Sequence, residues 1–269
     1  MSPQDISAAF LSARRKGLAL DSYPGIVPTS LEAAYRVQKI SIRNWGEPVL
    51  GYKVGGIGLQ WRDQYPSPWL AGPVFPSVLY VAEQDRVLEV PVFMGGFAAY
   101  EPELIFRLRN LDAPREMISS LDEAKSYIAD IHLGAEIASS PLATLNELGP
   151  GSIISDFGNQ AGVVIGQQIE HGWIDRLSDI EVETIIDGEL VGRSRVNDGD
   201  TGPLGALRFL LNHLRDDPSF APMDSDIWLS SGAITGVHQA SVGSICDVRY
   251  KNLGHIRITM TARDMEHSA

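Results

Sequence analysis

The chain has a single cysteine, Cys246, among its 269 residues, which excludes an internal disulfide and a cysteine-rich metal centre. It has no apolar run long enough to span a bilayer. Its N-terminal basic cluster, Arg14, Arg15 and Lys16, follows the few apolar residues there instead of preceding them, the wrong order for a secretory leader. A cytoplasmic protein is expected. Positive charge is scarce: 22 Lys and Arg stand against 34 Asp and Glu, a net charge of -12. That balance argues against nucleic acid or an anionic membrane as partner and obliges a small anionic substrate to find a local cation. Low-complexity runs and linkers are also missing, and 44% hydrophobic with 21% charged residues is ordinary globular composition. One domain is expected over residues 1–269, with a helical N-terminal region over 1–47 and a β-rich core over 48–269.

Ile6, Ala9, Phe10 and Ala13 recur at helical spacing from Asp5, with Arg14 to Lys16 as last-turn cations and Gly17 as the stop. Thr29 with Glu32 forms a capping box for a second helix reaching Trp45, and Ser120 with Glu123 one for a helix to Ala129. Gln60 to Phe75, rich in Trp, Tyr and Pro, reads as a covering loop. Strands are expected at 48–56, 87–93, 98–108, 131–137 and 163–166, and an Asp187-Gly188 hairpin joins 180–186 to 189–195. A helix spans 205–215, and short strands around 227–229, 231–236, 244–250 and 254–262 close the chain. Pro102 has no backbone donor, so its strand is expected at an edge or with a bulge.

In an extended Tyr100-Glu101-Pro102-Glu103-Leu104, Glu101 and Glu103 share one face. Side by side on an apolar strand they repel each other, and a cation or a shared proton relieves them. Oxygen-only ligands suit magnesium, manganese or calcium better than zinc. A bare Glu-x-Glu equally fits a solvated strand face. Lys53, inside Leu50-Gly51-Tyr52-Lys53-Val54, either snorkels to water or faces an acidic site. Glu136 shares a strand face with His132, opposite Ile131, Leu133, Ala135 and Ile137; taken alone it reads as a salt-bridged or surface residue, and His132 as a structural one. The polar turn from Asp156 to Gly162 can bring backbone donors and short side chains to a ligand.

In this order, Gly51-Tyr52-Lys53-Val54-Gly55, Glu101-Pro102-Glu103, Glu136-Ile137, Asp156 to Gly162 and Ser231 to Gly236 resemble the 2-oxopent-4-enoate hydratase and 4-oxalocrotonate decarboxylase family of the fumarylacetoacetate hydrolase-like superfamily. The resemblance covers nearly the whole chain and includes Ala33 to Gln38 and Leu253-Gly254. It implies an α+β fold, a mixed β-roll of the fumarylacetoacetate hydrolase C-terminal type with N-terminal and flanking helices. It also implies a Mg²⁺ or Mn²⁺ site at Glu101, Glu103 and Glu136, catalytic roles for Lys53 and Asp156, and substrate contacts from Ser231 and Thr235. A homo-oligomer is implied, with a decarboxylase partner in some settings.

The activity so implied is metal-dependent hydration of a 2-hydroxy-2,4-dienoate in aromatic catabolism. Its alternatives are decarboxylation of a 4-oxalocrotonate-type 2-oxo acid and a non-catalytic partner subunit of the same fold. A carbon–carbon bond hydrolase of the superfamily would carry a His and Glu pair near the N-terminus, whereas the first histidine here is His132. The chain departs from the family pattern at Leu70-Ala71-Gly72-Pro73, at Ser139-Ser140-Pro141 and at Phe157. These departures imply a distal pocket that has lost polar groups.

Overall fold

The computed structural model describes residues 1–83, 86–109, 116–217 and 226–263. Ser2 caps α1 (Pro3–Lys16): its hydroxyl accepts from the Asp5 N–H while the Asp5 carboxylate accepts from the Ser2 N–H, and Gly17 ends the helix at φ 62°. Ile6, Phe10 and Ala13 are buried as their spacing predicts, but Arg14 continues the stripe one turn after Phe10. It is a core guanidinium, not a last-turn surface cation. Helix α2 (Leu31–Trp45) is capped by Ser30, whose hydroxyl accepts from the Ala33 N–H. The cap thus sits one residue past Thr29, so no box forms with Glu32, which pairs outward with Arg36 at 2.9 Å.

The strands that follow are β1 (Gly51–Gly56), β2 (Trp69–Val74), β3 (Leu79–Val81), β4 (Val87–Val92) and β5 (Phe97–Leu108). After α3 (Leu121–Lys125) comes β6 (Ile128–Ser140); after α4 (Pro150–Ser155) come β7 (Gln160–Ile169), β8 (Glu181–Ile186) and β9 (Glu189–Arg195). After α5 (Pro203–Asp216) come β10 (Ile227–Ser230), β11 (His238–Gln239), β12 (Ile245–Tyr250) and β13 (Gly254–Ala262). One sheet runs β2-β1-β10-β5-β6-β7-β3 with β11 beside β5, and the other β4-β13-β12-β8-β9. Pairs β1/β10, β3/β7 and β4/β13 are parallel and the others antiparallel. The expected α+β mixed β-roll with N-terminal and flanking helices is therefore the architecture observed. No helix among the described residues is long and apolar enough to cross a membrane.

Period-two alternation sets which face looks where. Leu104, Phe106, Leu133 and Ile137 join Val182, Val248, Ile256 and Ile258 of the second sheet in one apolar core. The opposite face of β5 and β6 carries the glutamates and, at Ile105, packs with Val74 of β2 and Val163 and Ile165 of β7. The Asp187-Gly188 hairpin forms as expected, both residues left-handed at φ 53° and 87°.

Several boundaries differ from the sequence reading. Residues 69–74 form a fully buried strand at the sheet edge, where Pro73 needs no outer partner. The helix from Ser120 stops at Lys125, because β6 already begins at Ile128. Residues 231–237 are a loop, not a strand. Strand β5 is central, not an edge, and its register shift lies at Arg107/Leu108. Pro102 is accommodated because β10 pairs only with Ile105 to Leu108 and β11 only with Ala99 and Tyr100. In the gap between them the Pro102 carbonyl accepts from the Ile234 N–H at 2.9 Å, and no donor is required of the proline.

Arg14 ties the N-terminal helix to the sheet. Its guanidinium donates to Asp156 Oδ1, to the Asp156 carbonyl at 3.1 Å and to the Gln160 carbonyl at 3.0 Å. Ser140 Oγ donates to Asp156 Oδ2 at 2.6 Å. Removing one member of a buried pair leaves an uncompensated charge, a loss of about 3–5 kcal/mol. Arg14→Met is therefore expected to lower stability by roughly that amount in urea unfolding, and a loss under about 1 kcal/mol would contradict the assigned role.

Candidate metal centre and cleft

Glu101 lies directly opposite Glu136 across the β5–β6 ladder, and Glu103 lies opposite Gly134. Like charges directly opposite each other in a sheet are unfavourable, and here they are deeply buried: Glu101 is 7% exposed and Glu103 and Glu136 are 0% exposed. One carboxylate oxygen from each lies within 4.8 Å of the others. Lys53 reaches in from β1, whose register sets it beside Ser230 of β10, and its ammonium lies 3.0 Å from Glu136 Oε1. Glu103 Oε2 accepts from Ser230 Oγ at 2.6 Å and from the Gly232 N–H at 2.9 Å. Glu103 Oε1 and Glu136 Oε2 are buried with no hydrogen-bond partner.

This geometry controls protonation. Burial, with the Glu136 charge, pushes Glu101 up to about 8 against the opposing pull of Lys53. Burial and the two neighbouring carboxylates push Glu103 well above its ordinary value, and burial raises Glu136 despite Lys53. Burial alone would lower Lys53, but the glutamate charges overcome it and hold the lysine up to about 12. Lys53 is thus a fixed ammonium. Were all three carboxylates ionised, the single ammonium would leave two negative charges in the buried pocket, and the raised carboxyl values are the response of the metal-free site. All-oxygen donors, two orphaned acceptors and that deficit fit a hard divalent cation such as Mg²⁺ or Mn²⁺.

The cluster opens through Glu101 into a cleft of about 570 Å³. Its charged lining residues are Lys53, Arg62 and Arg195 against Glu101 alone, a basic excess within an acidic chain. Trp69, Leu70 and Ile153 give it an apolar wall, and Asn146, Asn159 and Asn197 add amides. The cleft is therefore not stripped of polar groups as expected: Asn159 of the Asp156 to Gly162 turn, with Arg62, Asn146, Arg195 and Asn197 from outside the family motifs, supplies them. A larger groove, about 820 Å³ along β8, β12 and β13, has its cations already paired, Lys251 with Glu181 and both Arg249 and Arg257 with Asp247.

Of the residues singled out in the sequence, Lys53, Glu101, Glu103 and Glu136 converge. Ser231 lines the cleft, but its hydroxyl donates to the Leu104 carbonyl at 2.7 Å. Thr235 lies apart, bonded to Thr184 at 2.7 Å and His238 at 2.8 Å. Asp156 is 1% exposed and both its oxygens are taken, by Arg14 and Ser140, so it anchors the turn before β7 and does not face the cleft. Ser230, Arg62 and Arg195 escaped the sequence reading, whereas Asn159 lies in the Asp156 to Gly162 turn expected to bring short side chains to a ligand. Of the three, only Ser230, two residues before Gly232 in a tight polar turn, carried a local signal.

Two outcomes follow from the cluster. Glu103→Gln removes one negative ligand with little change in size and is expected to weaken Mn²⁺ binding roughly tenfold or more with the fold retained; unchanged affinity in a calorimetric titration would sink the metal assignment. A carboxyl with a raised folded pKa binds its proton more tightly in the folded state. The stability it contributes is complete below the ordinary value of 4.5 and is lost as pH rises through about 8. Lys53, also raised, keeps its contribution until pH passes its ordinary 10.5 toward about 12, so it does not offset this loss. Metal-free protein is expected to melt at a lower temperature near pH 8 than near pH 5, with added Mg²⁺ restoring the difference. A flat profile would contradict this.

No family profile matches the chain, and neither does any curated protein sequence. Solved structures do. 4-Oxalocrotonate decarboxylase from Pseudomonas putida G7, complexed with magnesium and adipate, superposes with a TM-score of 0.76 at 18% identity, covering 96% of this chain and 97% of that one. The same enzyme complexed with calcium and acetate gives 0.76 at 17% identity, covering 96% of each chain. Fumarylpyruvate hydrolase from Pseudomonas aeruginosa, in complex with Mn²⁺ and pyruvate, gives 0.55 at 17%, covering 81% of this chain and 91% of that one. At these identities the likeness concerns the fold, which is the fumarylacetoacetate hydrolase C-terminal type.

Proposed function

We propose that the protein is a divalent-metal-dependent lyase that decarboxylates a 2-oxo dicarboxylic acid of the 4-oxalocrotonate kind. The observation that carries this reading is the charge pattern of the cleft. A buried trio of carboxylates with one ammonium meets the cleft at Glu101, and Arg62 and Arg195, the latter also 3.9 Å from Glu181, line the same cleft. A diacid matches both features. The likeness in fold to 4-oxalocrotonate decarboxylase agrees with it.

A divalent cation held by Glu101, Glu103 and Glu136 would draw electron density toward the carboxylate and 2-oxygen of the acid, so that the conjugated chain acts as an electron sink. Ser230 and the Gly232 N–H fix Glu103 through one oxygen and leave the other directed into the cluster. Lys53, held as an ammonium by its glutamate neighbours, presents positive charge where negative charge develops on the 2-oxygen. Arg62 and Arg195 draw the far carboxylate into a chain whose overall charge would repel it. The bond to the far carboxyl carbon then breaks, carbon dioxide leaves, and the electron pair runs along the conjugated chain to the 2-oxygen. The product is a 2-hydroxydienoate. Asp156 serves by holding the turn that lines the cleft, and Ser231 by forming its wall.

Hydration of a 2-hydroxy-2,4-dienoate would use the same sink, but that substrate carries one carboxylate and offers no second one to Arg62 and Arg195. The two reactions separate in one experiment. Purified protein with Mg²⁺ is offered 4-oxalocrotonate and 2-hydroxypenta-2,4-dienoate side by side, followed by ultraviolet absorbance and product mass. Loss of carbon dioxide from the first, abolished by EDTA, is expected. Gain of water by the second without decarboxylation would replace this reading with hydratase, and silence on both with metal bound would favour a non-catalytic subunit. Arg195→Ala is expected to raise KM for the diacid roughly tenfold without lowering kcat, since the far carboxylate gives up its charge as the bond breaks and the arginine holds it chiefly in the ground state.

A further inference from the structure

The turn between α4 and β7 holds three consecutive residues in the left-handed region: Phe157 at φ 54°, Gly158 at 70° and Asn159 at 68°. Bulky residues avoid this conformation, and it persists only where its surroundings impose it. Here they do. Arg14 grips the Asp156 carboxylate and the carbonyls of Asp156 and Gln160 on either side of the turn. The Phe157 ring packs 5.1 Å from Phe75 and 5.7 Å from Trp45, with the Arg14 guanidinium 5.3 Å from its centre. Gly72 of β2 lies so close that a β-carbon there would overlap the Phe157 carbonyl oxygen.

The forced turn places Asn159 in the wall of the cleft next to Lys53; a β-carbon on Gly158 would lie 3.2 Å from Lys53 Cδ. Asn159 is 5% exposed and its Oδ1 is buried with no hydrogen-bond partner. An unpaired buried amide is unfavourable. Glycine would satisfy the backbone at φ 68° with no amide to bury, so the conformation alone does not account for the side chain. A half-turn about χ2 exchanges the carbonyl and amino ends, so the unpartnered position can present an N–H donor.

We infer that Asn159 is a substrate-contacting residue whose amide donates a hydrogen bond to a carboxylate oxygen of the acid bound in the cleft. The inference rests on the proposed function and extends it to a group that neither the metal cluster nor the rim arginines include. The Arg14–Asp156 pair then acts as a positioning element: it carries α1's hold on the core to the one side chain that the turn delivers.

The test uses 2-oxoadipate, the saturated counterpart of the proposed substrate, which keeps both carboxylates but lacks the conjugated double bond needed for turnover. Mn²⁺ affinity, thermal midpoint and 2-oxoadipate affinity of the Mn²⁺-loaded protein are measured for wild type, N159G and N159D. Both replacements tolerate a left-handed backbone, so folding and Mn²⁺ binding are expected to stay near wild type. Affinity for 2-oxoadipate is expected to fall roughly tenfold or more in N159G, and further in N159D, where a carboxylate faces a carboxylate. Wild-type affinity in N159G would overturn the contact while leaving the proposed function standing. If N159G misfolds, N159D decides, because unchanged affinity there is incompatible with a donor to an anion. Wild-type protein that binds no Mn²⁺, or binds Mn²⁺ but not 2-oxoadipate, would overturn the functional reading and the contact together.

Discussion

Three carboxylates and one ammonium share a deeply buried pocket that meets solvent only at its cleft side, and the arrangement of the sheet around them follows from that constraint. Charges taken out of water must be paired or neutralised. Each strand at the site supplies part of the answer. β5 and β6 bring Glu101 and Glu136 face to face, β1 sends Lys53 across β10, and the end of β10 supplies the Ser230 hydroxyl and the Gly232 N–H. Two buried carboxylate oxygens without partners, in a site with three carboxylates to one ammonium, are donor chemistry that suits a hard divalent cation.

The break in pairing along β5 gives this cluster its access. β10 stops at Ser230, opposite Ile105, and β11 resumes at His238, opposite Tyr100, so the strand edge between them is covered by a loop. Pro102 sits in that gap and has no donor to leave unsatisfied. A proline that would disrupt an unbroken central ladder here marks where the ladder is open. The same gap admits the cleft to Glu101, the most exposed of the three acids.

Much of this was legible because the relevant patterns are local. Period two alone placed Glu101 beside Glu103 and set Glu136 apart from Ile131, Leu133, Ala135 and Ile137, and Asp-Gly announced its hairpin. The resemblance to a known family turned those fragments into one site. What escaped depends on partners far away in sequence. Arg14 reads as a helix-ending cation until Asp156, 142 residues later, is seen beside it. Asp156 reads as catalytic until Ser140 and Arg14 are seen to occupy both its oxygens. Residues 69–74 read as a loop because Gly72 and Pro73 are poor strand formers in isolation, whereas a full ladder to β1 and burial of every residue override that preference. Arg62 and Arg195 belong to no motif, and only folding turns them toward one cleft.

The charge distribution also bears on why the site is built so deep. In water, three glutamates and a lysine would interact weakly and the anionic chain would turn away a diacid. Burial strengthens each of these interactions. It raises the carboxyl pKa values and so penalises the metal-free site near neutral pH, which in turn couples metal capture to the integrity of the fold. The basic excess at the cleft works at longer range, offering a local attraction against a net charge of -12. The depth that makes the metal-free cluster unfavourable is thus the same depth that would strengthen its hold on a divalent cation and that keeps Lys53 an ammonium beside its glutamates.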